Sequence, residues 1–197
     1  MENTIERKET VRRILNNLRM LFVLIGLVIL FSILSPYFLT SRNLTAIGLT
    51  ISVIGIVCIG QSMVLMTGEL DLSVGSVAGF CGMIVAWLTK NHGLYIPMFV
   101  VGLVLGGAIG MINGILVTKA KVNALITTLA MMTIFQGATF LVSNGFAVGV
   151  SRDDFRFLGT YRLAGIPMPI IILIVLYVIF FFIMKYSVFG RYIYSIG

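Results

Sequence analysis

Asn91–Thr118 reads NHGLYIPMFVVGLVLGGAIGMINGILVT, 28 residues without an Asp, Glu, Lys or Arg. A helix rises 1.5 Å per residue and needs about 20 mainly apolar residues to cross a hydrocarbon core about 30 Å thick. This stretch has length to spare. Five further intervals lack the same four residue types: Met20–Ser41 (22 residues), Asn43–Gly68 (26), Leu72–Thr89 (18), Val122–Ser151 (30) and Leu163–Met184 (22). Together the six cover 146 of 197 residues. The apolar runs are continuous rather than alternating, which selects helices over barrel strands. The expectation is an all-α, polytopic transmembrane bundle with about six membrane helices, near 20–35, 45–66, 72–88, 95–117, 123–142 and 167–184. Leu72–Leu88 is the weakest of these; it is short, begins directly after Asp71, and fits a tilted or half-membrane helix.

Composition agrees. Apolar residues make up 59% of the chain and charged residues 11%, with a mean hydropathy of +1.08. Soluble domains carry roughly 25% charged residues, so a water-soluble domain is excluded as the leading reading. Disorder needs low hydrophobicity and high charge, and two cysteines cannot make a disulfide scaffold. The net charge of +7 would suggest nucleic acid in a soluble protein. Here its placement sets membrane topology instead, and no nucleic-acid partner is expected. Five of the 14 Lys and Arg residues, Arg7, Lys8, Arg12, Arg13 and Arg19, precede the first span. With that tail inside, the inner side holds nine Lys and Arg and the outer side five. The positive-inside rule then puts both termini in the cytoplasm. The first span is read as a retained helix, because Ser35-Pro36-Tyr37-Phe38 after it offers no small-residue cleavage site.

Several polar or small-residue features stand out within the apolar runs. Gly102, Gly106, Gly110 and Gly114 recur every four residues and lie on one helix face. Gly75 and Gly79 repeat the spacing in the preceding helix. Small residues so spaced let helix backbones approach closely in lipid, within this chain or with another. Thr67–Ser76 reads TGELDLSVGS and places two carboxylates in a break between apolar helices. Asp71 there reads as a helix cap, accepting from first-turn amides. It also reads as part of a polar break lining a substrate path, since ionisable groups at membrane depth default to function. Thr67, Asp71, Ser73, Asn113, Asn123 and Thr127 are the candidate pathway or gate residues. Neutral amides such as Gln61, Asn113, Asn123 and Gln136 hydrogen-bond either sugar hydroxyls or neighbouring helices. His92, the lone histidine, has no cluster to make a metal site. Residues 143–166 form the largest outer loop and interleave Arg152, Asp153, Asp154, Arg156 and Arg162 with Phe155, Phe157 and Tyr161. That mixture suits a docking surface or a plain solvated loop. No Gly-x4-Gly-Lys-Ser/Thr, catalytic triad, zinc motif or dinucleotide fingerprint occurs, so neither an enzyme nor a bound cofactor is expected.

Four segments together resemble the permease subunits of ribose/xylose/galactose-type ABC importers. They are Thr67–Ser76 (TGELDLSVGS), Gly110–Val117 (GMINGILV), Val122–Gly137 (VNALITTLAMMTIFQG) and Gly190–Gly197 (GRYIYSIG). The resemblance covers nearly all of the chain from about residue 20, with Glu69 where the family signature often has a glycine. It implies a multi-pass protein of the inner (cytoplasmic) membrane that imports a sugar by alternating access. Its implied partners are ATP-binding cassette subunits, which use the ATP, a second permease chain and an extracytoplasmic sugar-binding protein. It also implies that Gly190, Arg191 and Tyr194 open the loop that contacts the ATPase. Residues 1–19 would then be a cytoplasmic segment, 20–184 a partial permease domain and 185–197 the start of the coupling loop. Family members continue into further helices, so a truncation at Gly197 is expected. Two rival readings stay open: an ion-gradient-driven secondary transporter half, with Glu69 and Asp71 as its acidic candidates, and a non-transporting membrane scaffold.

Overall fold

A computed structural model describes residues 18–92, 96–150, 157 and 159–197. Among them seven helices run in the order α1 (Arg19–Leu34), α2 (Ser41–Met66), α3 (Val74–His92), α4 (Ile96–Thr118), α5 (Ala124–Ser143), α6 (Met168–Tyr186) and α7 (Val188–Ile196). Two short strands, β1 (Arg162–Leu163) and β2 (Ile166–Pro167), precede α6. The six long helices fall within a few residues of the expected spans. Four segments are long and apolar enough to cross a membrane: Ser41–Met66, Phe99–Thr118, Ala124–Ser143 and Met168–Tyr186. The other two fall short for different reasons. α1 has 16 residues, about 24 Å of helix. α3 has 19 residues, but its last turn is Thr89-Lys90-Asn91-His92.

The chain divides into two compact units at Gly48. In the first, α1 stops at Ser35, which is extended as the residue before a proline tends to be. The turn that follows is tied by Asn43, whose Nδ2 donates to the Phe38 carbonyl at 2.7 Å. Thr40 Oγ1 donates to the Tyr37 carbonyl at 2.7 Å. The large side chains of α1 are exposed along its length, which suits a helix solvated by acyl chains rather than by water.

The second unit, Leu49–Gly197, is built around α3, which packs against both α4 and α5. Residues buried where these helices meet include Cys81 and Val85 on α3, Ile109 on α4, and Ala124, Thr127 and Thr128 on α5. The Phe80 and Phe135 rings, 5.0 Å apart, join α3 to α5. α2 and α6 meet where Leu173 occupies the space beside Gly55; a Cβ there would lie 2.8 Å from Leu173 Cδ1. No residue of α6 is buried.

Two elements were not anticipated. The segment between α5 and α6 contains an antiparallel hairpin, β1 to β2, turned through Ala164 (φ 50°) and Gly165 (φ 84°). Positive φ at both central positions is the two-residue hairpin geometry. The Tyr161 carbonyl accepts from Met168 N at 2.9 Å, and Phe157 and Tyr161 stack at 4.6 Å. Arg152, Asp153, Asp154 and Arg156 lie outside the described residues. The second element is α7, where a loop was expected. Ser187 ends α6 through its amide and starts α7 through its hydroxyl, which accepts from Gly190 N at 3.1 Å. Gly190 and Ile193 form the buried side of α7, while Phe189, Tyr192 and Tyr194 are exposed.

The α6–α7 corner admits no side chain at Gly190, because a Cβ would run into the Met184 backbone. Gly190→Ala is expected to destabilise the chain by about 1–3 kcal/mol. Gly26→Ala, where a Cβ meets nothing within 4 Å, is the control. Detergent thermal-shift assays that give both variants the same Tm would contradict the tight corner.

Candidate functional site

The site begins where α2 ends. Gly68 adopts φ +81°, the left-handed conformation that stops helices and favours glycine. The amides of Thr67, Gly68 and Glu69 fold back onto the carbonyls of Val64 and Leu65. The chain then runs without helix to Ser73, and α3 starts at Val74. Asp71 Oδ1 accepts from Ser73 N at 2.8 Å and from Ser73 Oγ at 2.6 Å. The expected cap is therefore displaced. The carboxylate binds the residue just ahead of α3 rather than its first-turn amides, and the Ser73 carbonyl opens the helix by accepting from Val77 N at 2.9 Å.

Ser73 is 1% exposed and Asn113, 40 residues further on, is 6% exposed. They meet: Asn113 Nδ2 donates to Ser73 Oγ at 3.0 Å. This single contact links the break to α4 and produces a relay, Asn113 to Ser73 to Asp71. Asn113 Oδ1 is buried and has no hydrogen-bond partner among the described residues. The relay stands at one end of an α3–α4 cleft of about 370 Å³, whose apolar walls include Val77, Ala78 and Leu103.

The glycine row supplies the rest of the seam. α3 and α4 run antiparallel, so that a Cβ on Gly102 would meet Val85 Cγ2 at 3.2 Å and one on Gly106 would meet Cys81 Sγ at 3.9 Å. At Gly110 and Gly114 a Cβ would meet nothing within 4 Å, and the same holds for Gly75 and Gly79. Within this chain the row is thus a close-packing seam only at its N-terminal half. Gly110 borders the cleft instead.

The other candidates do not join the relay. Thr67 Oγ1 donates to the Val64 carbonyl at 2.7 Å, within its own helix end. Asn123 is the N-cap of α5, with Oδ1 accepting from Leu125 N at 2.9 Å. Thr127 is buried and donates to the Asn123 carbonyl at 3.1 Å. Its neighbour Thr128, not among the candidates, donates to the Ala124 carbonyl at 2.8 Å and reaches the Leu70 carbonyl at 3.5 Å, drawing α5 to the break. On α7, Gly190 is buried in the corner, whereas Arg191 and Tyr194 are exposed. A side chain at Gly197 would strike the Met66 backbone and lie against Thr67, so the end of α7 abuts the start of the break. Among the described residues no three His, Cys, Asp or Glu side chains gather to hold a metal ion.

Residues 43–197 match the family described as "Branched-chain amino acid transport system / permease component". The chain belongs to this family of transporter components. It is a multi-pass protein of the cytoplasmic (inner) membrane. It is 36% identical over 186 residues to the L-arabinose ABC transporter permease protein of Azospirillum brasilense, covering 94% of this chain and 55% of the relative. To the ribose import permease protein of Escherichia coli K12 it is 34% identical over 181 residues, 90% of this chain and 56% of the relative. To the D-allose transport system permease protein of the same organism it is 34% identical over 179 residues, 89% of this chain and 55% of the relative. The chain thus spans about half the length of these relatives. No solved structure matches it.

Removing the Asp71 carboxylate by Asp71→Ala is expected to cost about 1–3 kcal/mol through the two lost hydrogen bonds to Ser73. Gly102→Leu should disrupt α3–α4 packing more severely, because a Cβ there already lies 3.2 Å from Val85 Cγ2 and the rest of a leucine side chain must also be fitted into the seam. Gly110→Ala should be tolerated and should gain up to about 1 kcal/mol of helix propensity. Chemical or thermal unfolding of the three purified variants ranks them, and a Gly110→Ala protein as unstable as Gly102→Leu would refute the seam as described.

Proposed function

We propose that this chain belongs to the membrane-spanning permease of an ATP-binding-cassette importer that moves a simple sugar across the cytoplasmic membrane. Alternating access of the pathway is powered by ATP hydrolysed on separate subunits, and the chain carries no ATPase or cofactor of its own. The observation that carries this reading is the meeting of Asp71, Ser73 and Asn113 at the end of an otherwise apolar cleft. Two distant segments converge there to present polar groups between apolar helices, and ionisable side chains within such helices default to function. The named relatives carry arabinose, ribose and allose in their descriptions. The family description speaks of branched-chain amino acids. The cleft favours the sugar, because among the described residues no Lys, Arg or His lines it to meet an amino acid's carboxylate.

The remaining assignments follow from this reading. Residues 1–19 and 185–197 lie in the cytoplasm, and 20–184 form the part of the permease domain present here. α7 is the surface for the ATPase: Arg191 and Tyr194 face outward from it, Gly190 sets its corner, and its end touches the break that leads to Asp71. Thr67, Asn123 and Thr127 contribute by holding helix ends beside the pathway. A second permease chain completes the assembly, and the extracytoplasmic sugar-binding protein docks on the side of residues 143–166.

Uptake of radiolabelled L-arabinose, D-ribose and D-allose by native cells with and without the gene tests the reading. Loss of uptake of one of these sugars on deletion is expected. That uptake should fail on ATP depletion and persist in the presence of a protonophore. The opposite pattern would establish the ion-driven transporter, and unchanged uptake of all three would leave the scaffold reading in possession.

A further inference from the structure

A chain of hydrogen bonds has a direction, and here one end fixes it. A carboxylate only accepts, and Asp71 Oδ1 takes both the Ser73 amide and the Ser73 hydroxyl. A hydroxyl has one proton, so Ser73 Oγ faces Asn113 as an acceptor. Asn113 must answer with its amide nitrogen, as it does at 3.0 Å. The planar amide then turns Oδ1 the other way, where it has no partner among the described residues. Buried acceptors in folded proteins are nearly always matched, and an exception asks for an explanation. Asn113 is more than nine-tenths buried and lines the cleft.

We propose that Asn113 Oδ1 is a specificity-determining acceptor for a hydroxyl group of a neutral polyol, and that Asp71 positions it by acting through Ser73. The proposal rests on the sugar-import reading and deepens it. The ligand class follows from the surroundings. A hydroxyl donates to an amide oxygen, while the carbon face of a sugar packs on Val77, Ala78 and Leu103. A cleft of about 370 Å³ is at the lower end of small-molecule sites. Gly110 leaves the floor open, since its backbone has no side-chain neighbour within reach of a Cβ. Oδ1 itself is closed off in this conformation. The ligand hydroxyl reaches it when α3 and α4 part beside Gly110, so recognition accompanies opening. On this account the charge of Asp71 is incidental and its acceptor oxygen is what counts, which sets the proposal apart from any proton-carrying role.

The test is the concentration dependence of radiolabelled uptake in native cells carrying chromosomal variants. The probes are the three sugars named above, with 2-deoxy-D-ribose as competitor. Asn113→Leu and Ser73→Ala are expected to raise KM roughly tenfold, the worth of one hydrogen bond, and to flatten discrimination between a sugar and its deoxy analogue. Asp71→Ala should do the same. Asp71→Asn and Ser73→Thr keep the acceptor and the hydroxyl, and should bring KM back to within about threefold of wild type. Membrane abundance and detergent monodispersity identify any variant that fails to fold, and the two conservative variants keep the test decisive in that case. Unaltered KM and discrimination in Asn113→Leu would overturn the acceptor. An Asp71→Asn transporter as impaired as Asp71→Ala would overturn the positioning role and point to charge. Wild-type cells that take up none of the three sugars through this protein would overturn the sugar reading itself, and the acceptor with it.

Discussion

Inside a bilayer a polar group has no water to turn to, so a break between two membrane helices stands only if the protein supplies every partner. The segment from Thr67 to Ser73 supplies several of these partners with few groups. Gly68 bends the chain out of α2, and three amides return to the α2 carbonyls. One carboxylate oxygen takes both protons of Ser73. Asn113 then covers the Ser73 hydroxyl from the neighbouring helix. Without these contacts α3 would have neither a defined start nor a polar tie to α4. Since α3 is the helix that α4 and α5 both pack against, the packing within the second unit depends on how that start is held.

The same arrangement joins packing to function. Close approach at Gly102 and Gly106 clamps one half of the α3–α4 seam, while the absence of side chains at Gly110 leaves the other half open beside the relay. One row of glycines therefore serves two purposes along its length. At the opposite end of the break, the tip of α7 abuts Met66 and Thr67. In the proposed importer, a push delivered to α7 would reach the segment that carries Asp71 through backbone contacts alone. Distinct rearrangement of packed elements, rather than smooth deformation, is how such coupling is usually carried.

The bundle was legible in the residues because the lipid constraint acts on composition. Six charge-free intervals marked the six long helices to within a few residues. The motifs were legible too, and they anticipated the family that residues 43–197 match. The β-hairpin and α7 were less so. A two-residue strand leaves almost no periodic signal, and Ala164 in a left-handed turn runs against the usual preference for glycine or asparagine there. α7 is nine residues long, and its amphipathic face is set by the corner at Gly190 rather than by any extended repeat.

The site divides along the same line. Asp71 stood out as a carboxylate in the break between two apolar runs, whereas Ser73, Asn113, Asn123 and Thr127 qualified as polar residues within such runs, and nothing in their local spacing separated those four. Asn123 and Thr127 bond within their own helix, a use that composition permits equally well. Asp71 and Ser73 meet Asn113 across 40 residues. That pairing exists because α3 and α4 run antiparallel with the Gly102–Gly106 seam fixing their register. Membrane residence and helix number follow from hydrophobicity, which is a property of each residue and sums along the chain. The relay is a property of pairs, and pairs form only when folding has set the distance between them.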